Sequence, residues 1–204
     1  MREYVTINKE IIQNRGCEML KKTNAILALI SVFLLLTHVV YEIWSYMSFY
    51  YNPGMTVLIA YGFVTCVMLH IVISVFIVAY KHDGDALGKY PKKNIRTIIQ
   101  RASAAGILVL LPFHIKTGDW VTSHFGGTVF FIVLIVLGVL FWAFTFLHVG
   151  SSLTRALITL GIIKERKTQK IIDWTVWVIS AALFVASVII VIKTQVILFN
   201  MKQV

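Results

Sequence analysis

Long apolar stretches alternate with short polar segments along the chain, and five of the stretches are candidates to cross a membrane. A helix needs about 20 mostly apolar residues to span a hydrocarbon core of about 30 Å. The five stretches reach or approach that length. They run over Ala25–Met47, Met55–Tyr80, Ile98–Ile115, Thr128–Thr154 and Ile171–Ile192. The pattern therefore predicts an all-α integral membrane bundle of five transmembrane helices, forming one membrane domain over residues 1–204.

The composition excludes an ordinary soluble domain. Hydrophobic residues make up 58% of the 204 residues and charged residues only 14%, whereas soluble domains average about 45–50% and about 25%. The first apolar stretch follows a polar head and has no A-x-A-like cleavage site, so it predicts a permanent span rather than a signal peptide. Cys17 and Cys66 form no CxxC or CxxCH pattern, which argues against a disulfide framework, a zinc ribbon or a c-type haem.

The net charge of +10 carries information about topology. Sixteen of the 19 basic residues lie in the N-terminal head, around the second-to-third connection, or around the fourth-to-fifth connection. By the positive-inside rule, the N-terminus is expected in the cytoplasm and the C-terminus outside, in a multi-pass protein of the cytoplasmic membrane. We therefore expect the basic residues to meet membrane lipid headgroups, and no nucleic acid.

Four histidines fall inside the first four spans, one on each: His38, His70, His114 and His148. A lone membrane histidine is often a packing residue, but ionisable groups at membrane depth commonly mark a site. Helical rise and alternating span direction place His38 and His114 near one membrane face, and His70 and His148 near the other. We call these the outer pair and the inner pair. Their depths predict two stacked sites, each built from two histidines.

The histidine pairs predict haem iron better than another metal. Imidazole is a common axial ligand of haem iron. Zinc and copper are the competing metals, but neither pair has the additional cysteine or acidic ligands that a zinc centre uses. Glu42 is the only acidic residue in the outer half of the first span. Two b-type haems are therefore the favoured interpretation.

Short motifs around these histidines resemble a known family. The run Gln100-Arg101-Ala-Ser-Ala-Ala-Gly106-Ile107, followed by Phe113-His114, is similar to the Gln-Arg-x-Thr-Gly-Ile run and haem histidine of the diheme cytochrome b subunit of succinate dehydrogenases and fumarate reductases. His148-Val-Gly-Ser-Ser-Leu153 resembles the family's His-x-x-x-Gly-Leu motif. The resemblance is to the five-helix, single-subunit form and covers nearly the whole chain. Phe146 stands where some menaquinol-oxidising members carry a glutamate, so their proton route is not implied.

This resemblance implies a membrane anchor with two haem b groups. His38 and His114 would hold the outer haem, and His70 and His148 the inner haem. A flavoprotein and an iron–sulfur protein on the cytoplasmic face would interconvert succinate and fumarate, and this chain would exchange their electrons with membrane quinone, with menaquinone expected. No residue of this chain would act catalytically on the dicarboxylate.

Further residues are candidates for cofactor contacts. Three are expected near haem propionates, with snorkelling to headgroups as the alternative for the arginines: Arg101, Ser103 and Arg155. Others form a candidate quinone site at the outer end, where Glu42 lies one turn beyond His38 and could instead simply meet water: Glu42, Tyr46, Asp119, Trp120 and His124. Three glycines could let a porphyrin lie flat against a helix: Gly106, Gly138 and Gly150.

Two alternatives stay open at the level of sequence. The first is a haem b anchor of another respiratory enzyme, of the nitrate reductase, hydrogenase or formate dehydrogenase type, which the identity of the soluble subunits would distinguish. The second is a haem-free membrane anchor. A transporter is disfavoured because the spans show no interrupted helices and no inverted repeat.

Overall fold

The computed structural model describes residues 2–48, 50, 52–80, 91–123 and 125–200, with side chains described except at residues 2–15, 46, 80 and 91–93. Regular structure in this part of the chain is entirely helical. The helices are α1 Arg2–Ser48, α2 Pro53–Tyr80, α3 Pro91–Thr122, α4 Gly127–Thr159 and α5 Arg166–Asn200. Each contains a segment long and apolar enough to cross a membrane. The prediction of an all-helical, multi-pass membrane protein is thereby confirmed.

The helices extend beyond the apolar stretches that predicted them. α1 begins at Arg2 rather than near Ala25, and α3 continues past Ile115 to Thr122. Hydropathy reports the length immersed in hydrocarbon, whereas a helix ends where local chemistry interrupts its hydrogen bonds. The predicted spans are therefore cores of longer helices.

Short polar and glycine turns end the helices. Asn52 caps α2 by accepting a hydrogen bond from the Met55 backbone N–H through its side-chain oxygen, at 3.2 Å, and Pro53 occupies the first helical position. After α4, Gly161 has a φ of 74°, and the N–H of Ile162 donates to the carbonyl of Leu157 at 3.0 Å. This is the Schellman arrangement, which favours glycine at the left-handed position.

α4 is the central helix of the bundle, because it packs against α1, α3 and α5. The core forms where α1, α3 and α4 meet; its buried members are Leu35, Val39, Leu110, Phe141, Trp142 and Phe146. Within the described residues, α2 packs only against α1. We call the end at which α3 and α5 begin and α4 ends the basic end, because most of the basic residues lie around it.

Candidate functional site: two histidine pairs

The inner pair joins α2 and α4 near the basic end. The ring Nδ1 of His148 lies 2.9 Å from the carbonyl oxygen of Gln100, and the ring Nδ1 of His70 lies 3.4 Å from that of Asn24. A carbonyl oxygen only accepts, so each Nδ1 carries a proton, and in the neutral imidazole the Nε2 then keeps its lone pair. His70 and His148 also lie within electrostatic range of one another. Metal-bound histidines commonly have this tautomer, with the second nitrogen donating to a carbonyl.

The outer pair joins α1 and α3. His38 and His114 lie within electrostatic range of one another. The His114 ring stacks on Phe141 of α4, with ring centroids 4.3 Å apart and planes 10° apart, and it meets Trp142 edge-on at 5.7 Å. The Nδ1 of His38 and the indole Nε1 of Trp142 are buried without a hydrogen-bond partner. Buried polar atoms are nearly always paired, so the His38 Nδ1 and the Trp142 Nε1 are both available to a hydrogen-bond partner.

The two pairs lie at different levels of the bundle. Asn24, beside His70, and His38 are 14 residues apart on α1, which is about 21 Å at helical rise. Gln100, beside His148, and His114 have the same spacing on α3, again about 21 Å. The two helices therefore place an inner and an outer histidine site at matching separations.

The helices that carry each pair do not pack directly on one another. Over the described residues, no Cα atom of α1 lies within 8 Å of α3, and none of α2 lies within 8 Å of α4. The members of each pair therefore come from two helices whose backbones are not in contact. Histidine is a common axial ligand of haem iron, so two histidines from two helices are a candidate ligand set for one haem.

A hydrogen-bonded cluster lies beside His148 at the basic end. Arg155 donates through Nη1 to the Thr97 hydroxyl at 2.7 Å and to the Gln100 side-chain oxygen at 3.2 Å. Arg96 and Asp173 form an ion pair beside it, at 2.5 Å. Sequence reasoning singled out Arg155 but missed Arg96 and Asp173. Asp173 could have been noticed in the sequence, because it is an acidic residue within the fifth apolar stretch.

The predicted propionate residues have different surroundings. Both acceptors of the Arg155 hydrogen bonds, the Thr97 hydroxyl and the Gln100 side-chain oxygen, are uncharged. Arg155 also lies within electrostatic range of two other arginines, Arg96 and the half-buried Arg101. Ser103 is 2% exposed, and its hydroxyl donates to the carbonyls of Ile99 at 2.7 Å and Gln100 at 3.1 Å. The arginines thus form a positively charged region next to the inner pair, while the serine hydroxyl is committed to its own helix.

The predicted quinone residues are not brought together by hydrogen bonds in the described part of the chain. Glu42 has a buried Oε1 without a partner. Asp119 pairs with Lys116 at 3.2 Å on the surface, and Trp120 packs against aromatic rings, including that of Phe130 at 5.7 Å. The side chain of Tyr46, and all of His124, lie outside the described residues.

Side chains of neighbouring helices cover the three glycines expected to face a porphyrin, so this prediction is wrong. An added Cβ would meet the Phe144 ring at Gly106 and the Trp177 ring at Gly150, and Val191 lies against Gly138. Small residues here allow α3 to approach α4, and α4 to approach α5.

An apolar cavity of about 140 Å³ lies between α1, α4 and α5. Residues such as Leu35, Phe146 and Leu183 line it, and no histidine does.

The described side chains contain no group of three or more histidine, cysteine or acidic residues arranged to hold a metal ion. Two-histidine ligation of a haem is a different kind of site, because the porphyrin supplies the remaining four ligands.

Comparisons with known protein families, curated proteins and solved structures found no match. The functional assignment therefore depends on the residues themselves.

Proposed function

We propose that this chain is a diheme cytochrome b membrane anchor. It would carry electrons between membrane quinone and a cytoplasmic flavoprotein and iron–sulfur protein that interconvert succinate and fumarate. The observation that carries the proposal is the arrangement of four histidines as two pairs at different levels of the bundle, in which the members of each pair lie on different helices within electrostatic range of one another.

The residues fit a haem at the inner pair most directly. In their neutral forms His70 and His148 would both keep an unprotonated Nε2, because each Nδ1–H donates a hydrogen bond to a backbone carbonyl. At the outer pair, the unpartnered Nδ1 of His38 leaves its tautomer undetermined by the chain. Haem b, when bound, would supply one-electron chemistry, and the protein would supply ligands, orientation and electrostatics.

The remaining side chains have distinct roles under this proposal. Arg101 and Arg155 would face the propionates of the inner haem, because both are half-buried cations at the basic end, where that pair lies. Glu42 would exchange a proton with quinone at the outer end, because its carboxyl oxygen is buried without a partner one turn from His38. The N-terminus and the basic loops would face the cytoplasm and the soluble subunits.

A haem-free membrane anchor is the second candidate. The filled surfaces of Gly106 and Gly150 favour it, because aromatic side chains occupy space that the sequence interpretation assigned to a porphyrin. The electron-transfer proposal and this candidate differ in one measurable property, which is whether the folded chain holds haem.

The identity of the soluble partners tests the assignment to succinate and fumarate. We would purify the tagged chain from its native membrane under mild detergent and identify the co-purifying proteins. The proposal expects a flavoprotein and an iron–sulfur protein, and succinate-dependent reduction of a soluble quinone by the complex. A molybdenum or nickel enzyme in their place would contradict the proposal and support another respiratory anchor.

A further inference from the structure

Arg96 on α3 and Asp173 on α5 form an ion pair at the basic end of the bundle. The guanidinium Nη2 lies 2.5 Å from the carboxylate Oδ1, and both side chains are about a quarter exposed, at 26% and 28%. The two residues are 77 positions apart in the chain. Charged residues within membrane helices are costly and commonly functional, so the pair calls for an explanation.

The same two side chains also hold α4. Arg96 donates through Nε to the Ser151 carbonyl at 2.8 Å and through Nη2 to the Gly150 carbonyl at 3.4 Å. Asp173 accepts a second hydrogen bond, from the Thr154 hydroxyl at 2.9 Å. The ion pair therefore ties three helices together at one level, and its contacts on α4 begin two residues after His148.

Arg96 is also linked to the His148 ring through its own helix, α3. Arg96 lies one helical turn before Gln100, so the two residues share a face of α3. The Gln100 carbonyl accepts a hydrogen bond from the Nδ1–H of His148, at 2.9 Å between nitrogen and oxygen. Arg96 thus fixes the relative position of the helix that carries the imidazole and the helix that carries its hydrogen-bond acceptor.

We infer that Arg96 and Asp173 are positioning residues for His148, which orient its imidazole and balance the charge beside the inner haem. This inference rests on the proposed function. The pair is neutral as a whole, and removing one member leaves the other charge unbalanced in a medium of low dielectric constant. A residue that only stabilised the bundle would not shift the inner midpoint potential in opposite directions when the carboxylate or the guanidinium is removed.

The test compares Asp173→Asn and Arg96→Gln in the full-length chain purified with haem. Redox titration and electron paramagnetic resonance are recorded for each, and the inner component is the one lost in His148→Ala. Losing the carboxylate raises the inner midpoint potential, because a positive charge stabilises the reduced iron, and losing the guanidinium lowers it. Both variants shift the highest g value of the inner ferric haem, which reports ligand orientation, and leave the outer haem unchanged.

Glu18→Gln is the matched control. It removes one member of an exposed pair, in which Lys22 lies 2.9 Å from the Glu18 carboxylate and the side chains are 50% and 68% exposed. We expect no shift at either haem. If the single variants do not fold, the double variant Arg96→Gln/Asp173→Asn restores neutrality, and we expect a parental inner potential with a shifted inner g value.

Each outcome decides the inference. Two bound haems whose inner potential and g value do not respond to the single variants would overturn it while leaving the proposed function intact. Shifts of the same sign in both single variants, or equal shifts at both haems, would also overturn it. An unshifted inner g value in the double variant would likewise overturn the inference. A folded parent chain without haem would overturn the proposed function and this inference together.

Discussion

The contact between Gly106 and Phe144 gives a direct test of how α3 packs against α4. A Cβ atom at residue 106 would lie 2.5 Å from Cδ2 and 2.7 Å from Cγ of the Phe144 ring. Carbon atoms in favourable contact are about 3.5–4.0 Å apart. The ring also packs against the buried core, so it has little room to withdraw. We therefore expect Gly106→Ala to destabilise the bundle.

The magnitude follows from two opposing terms. Overpacking a core typically costs about 1–3 kcal/mol, while alanine in place of glycine gains up to about 1 kcal/mol in a helix. We expect a net loss of about 1–2 kcal/mol, which raises the unfolded fraction roughly 5–30-fold. Gly118→Ala is the control on the same helix, because nothing lies within 4 Å of its added Cβ. It should be neutral or slightly stabilising.

The assay is reversible unfolding of the full chain in mixed micelles, followed by tryptophan fluorescence. Each glycine variant is measured in the parent and in a Phe144→Ala background, where the clashing ring is gone. The loss from Gly106→Ala should largely disappear in that background. A Gly106→Ala protein as stable as Gly118→Ala, or a loss that is the same in both backgrounds, would refute the packing argument.

Three further predictions concern single polar or conformational features. Asn24→Ala removes the hydrogen bonds between Asn24 and Ser74, at 3.0 and 3.2 Å; we expect a loss of about 1 kcal/mol in micelle unfolding and weaker haem retention at His70 than at His38. Gly161→Ala places a side chain at φ 74°, and we expect a loss of about 1–2 kcal/mol in thermal unfolding, with no loss contradicting the turn assignment. Glu42→Gln should leave haem content unchanged and slow succinate-dependent quinone reduction about 100-fold, and an unchanged rate would remove Glu42 from the quinone site.

The membrane-spanning helices were predictable because apolar length and bilayer thickness are directly related. The pairing of His38 with His114, and of His70 with His148, was predicted from depth alone, because helical rise is nearly constant. The role of these residues as haem ligands stays a prediction. The ends of the helices were less predictable, since polar residues such as those at the start of α1 can continue a helix in water.

The contacts between helices could not be predicted from the sequence. Arg96 and Asp173 meet only after 77 positions of chain have folded back, and no local pattern specifies that pairing. The expectation for Gly106 and Gly150 failed for the same reason: periodicity shows that a small residue permits close approach, but not which ring takes the space. The peripheral position of α2 was likewise hidden, because an apolar helix reads the same whether lipid or protein covers it.

Haem quantitation with a reduced-minus-oxidised spectrum of the purified full-length chain tests the central claim most directly. We expect two non-covalent b haems per chain, and one or fewer when His38 or His70 is replaced singly. Loss of a haem in each variant would show that each pair forms its own site. A well-folded chain without haem, or a haem content unaffected by both replacements, would contradict the account.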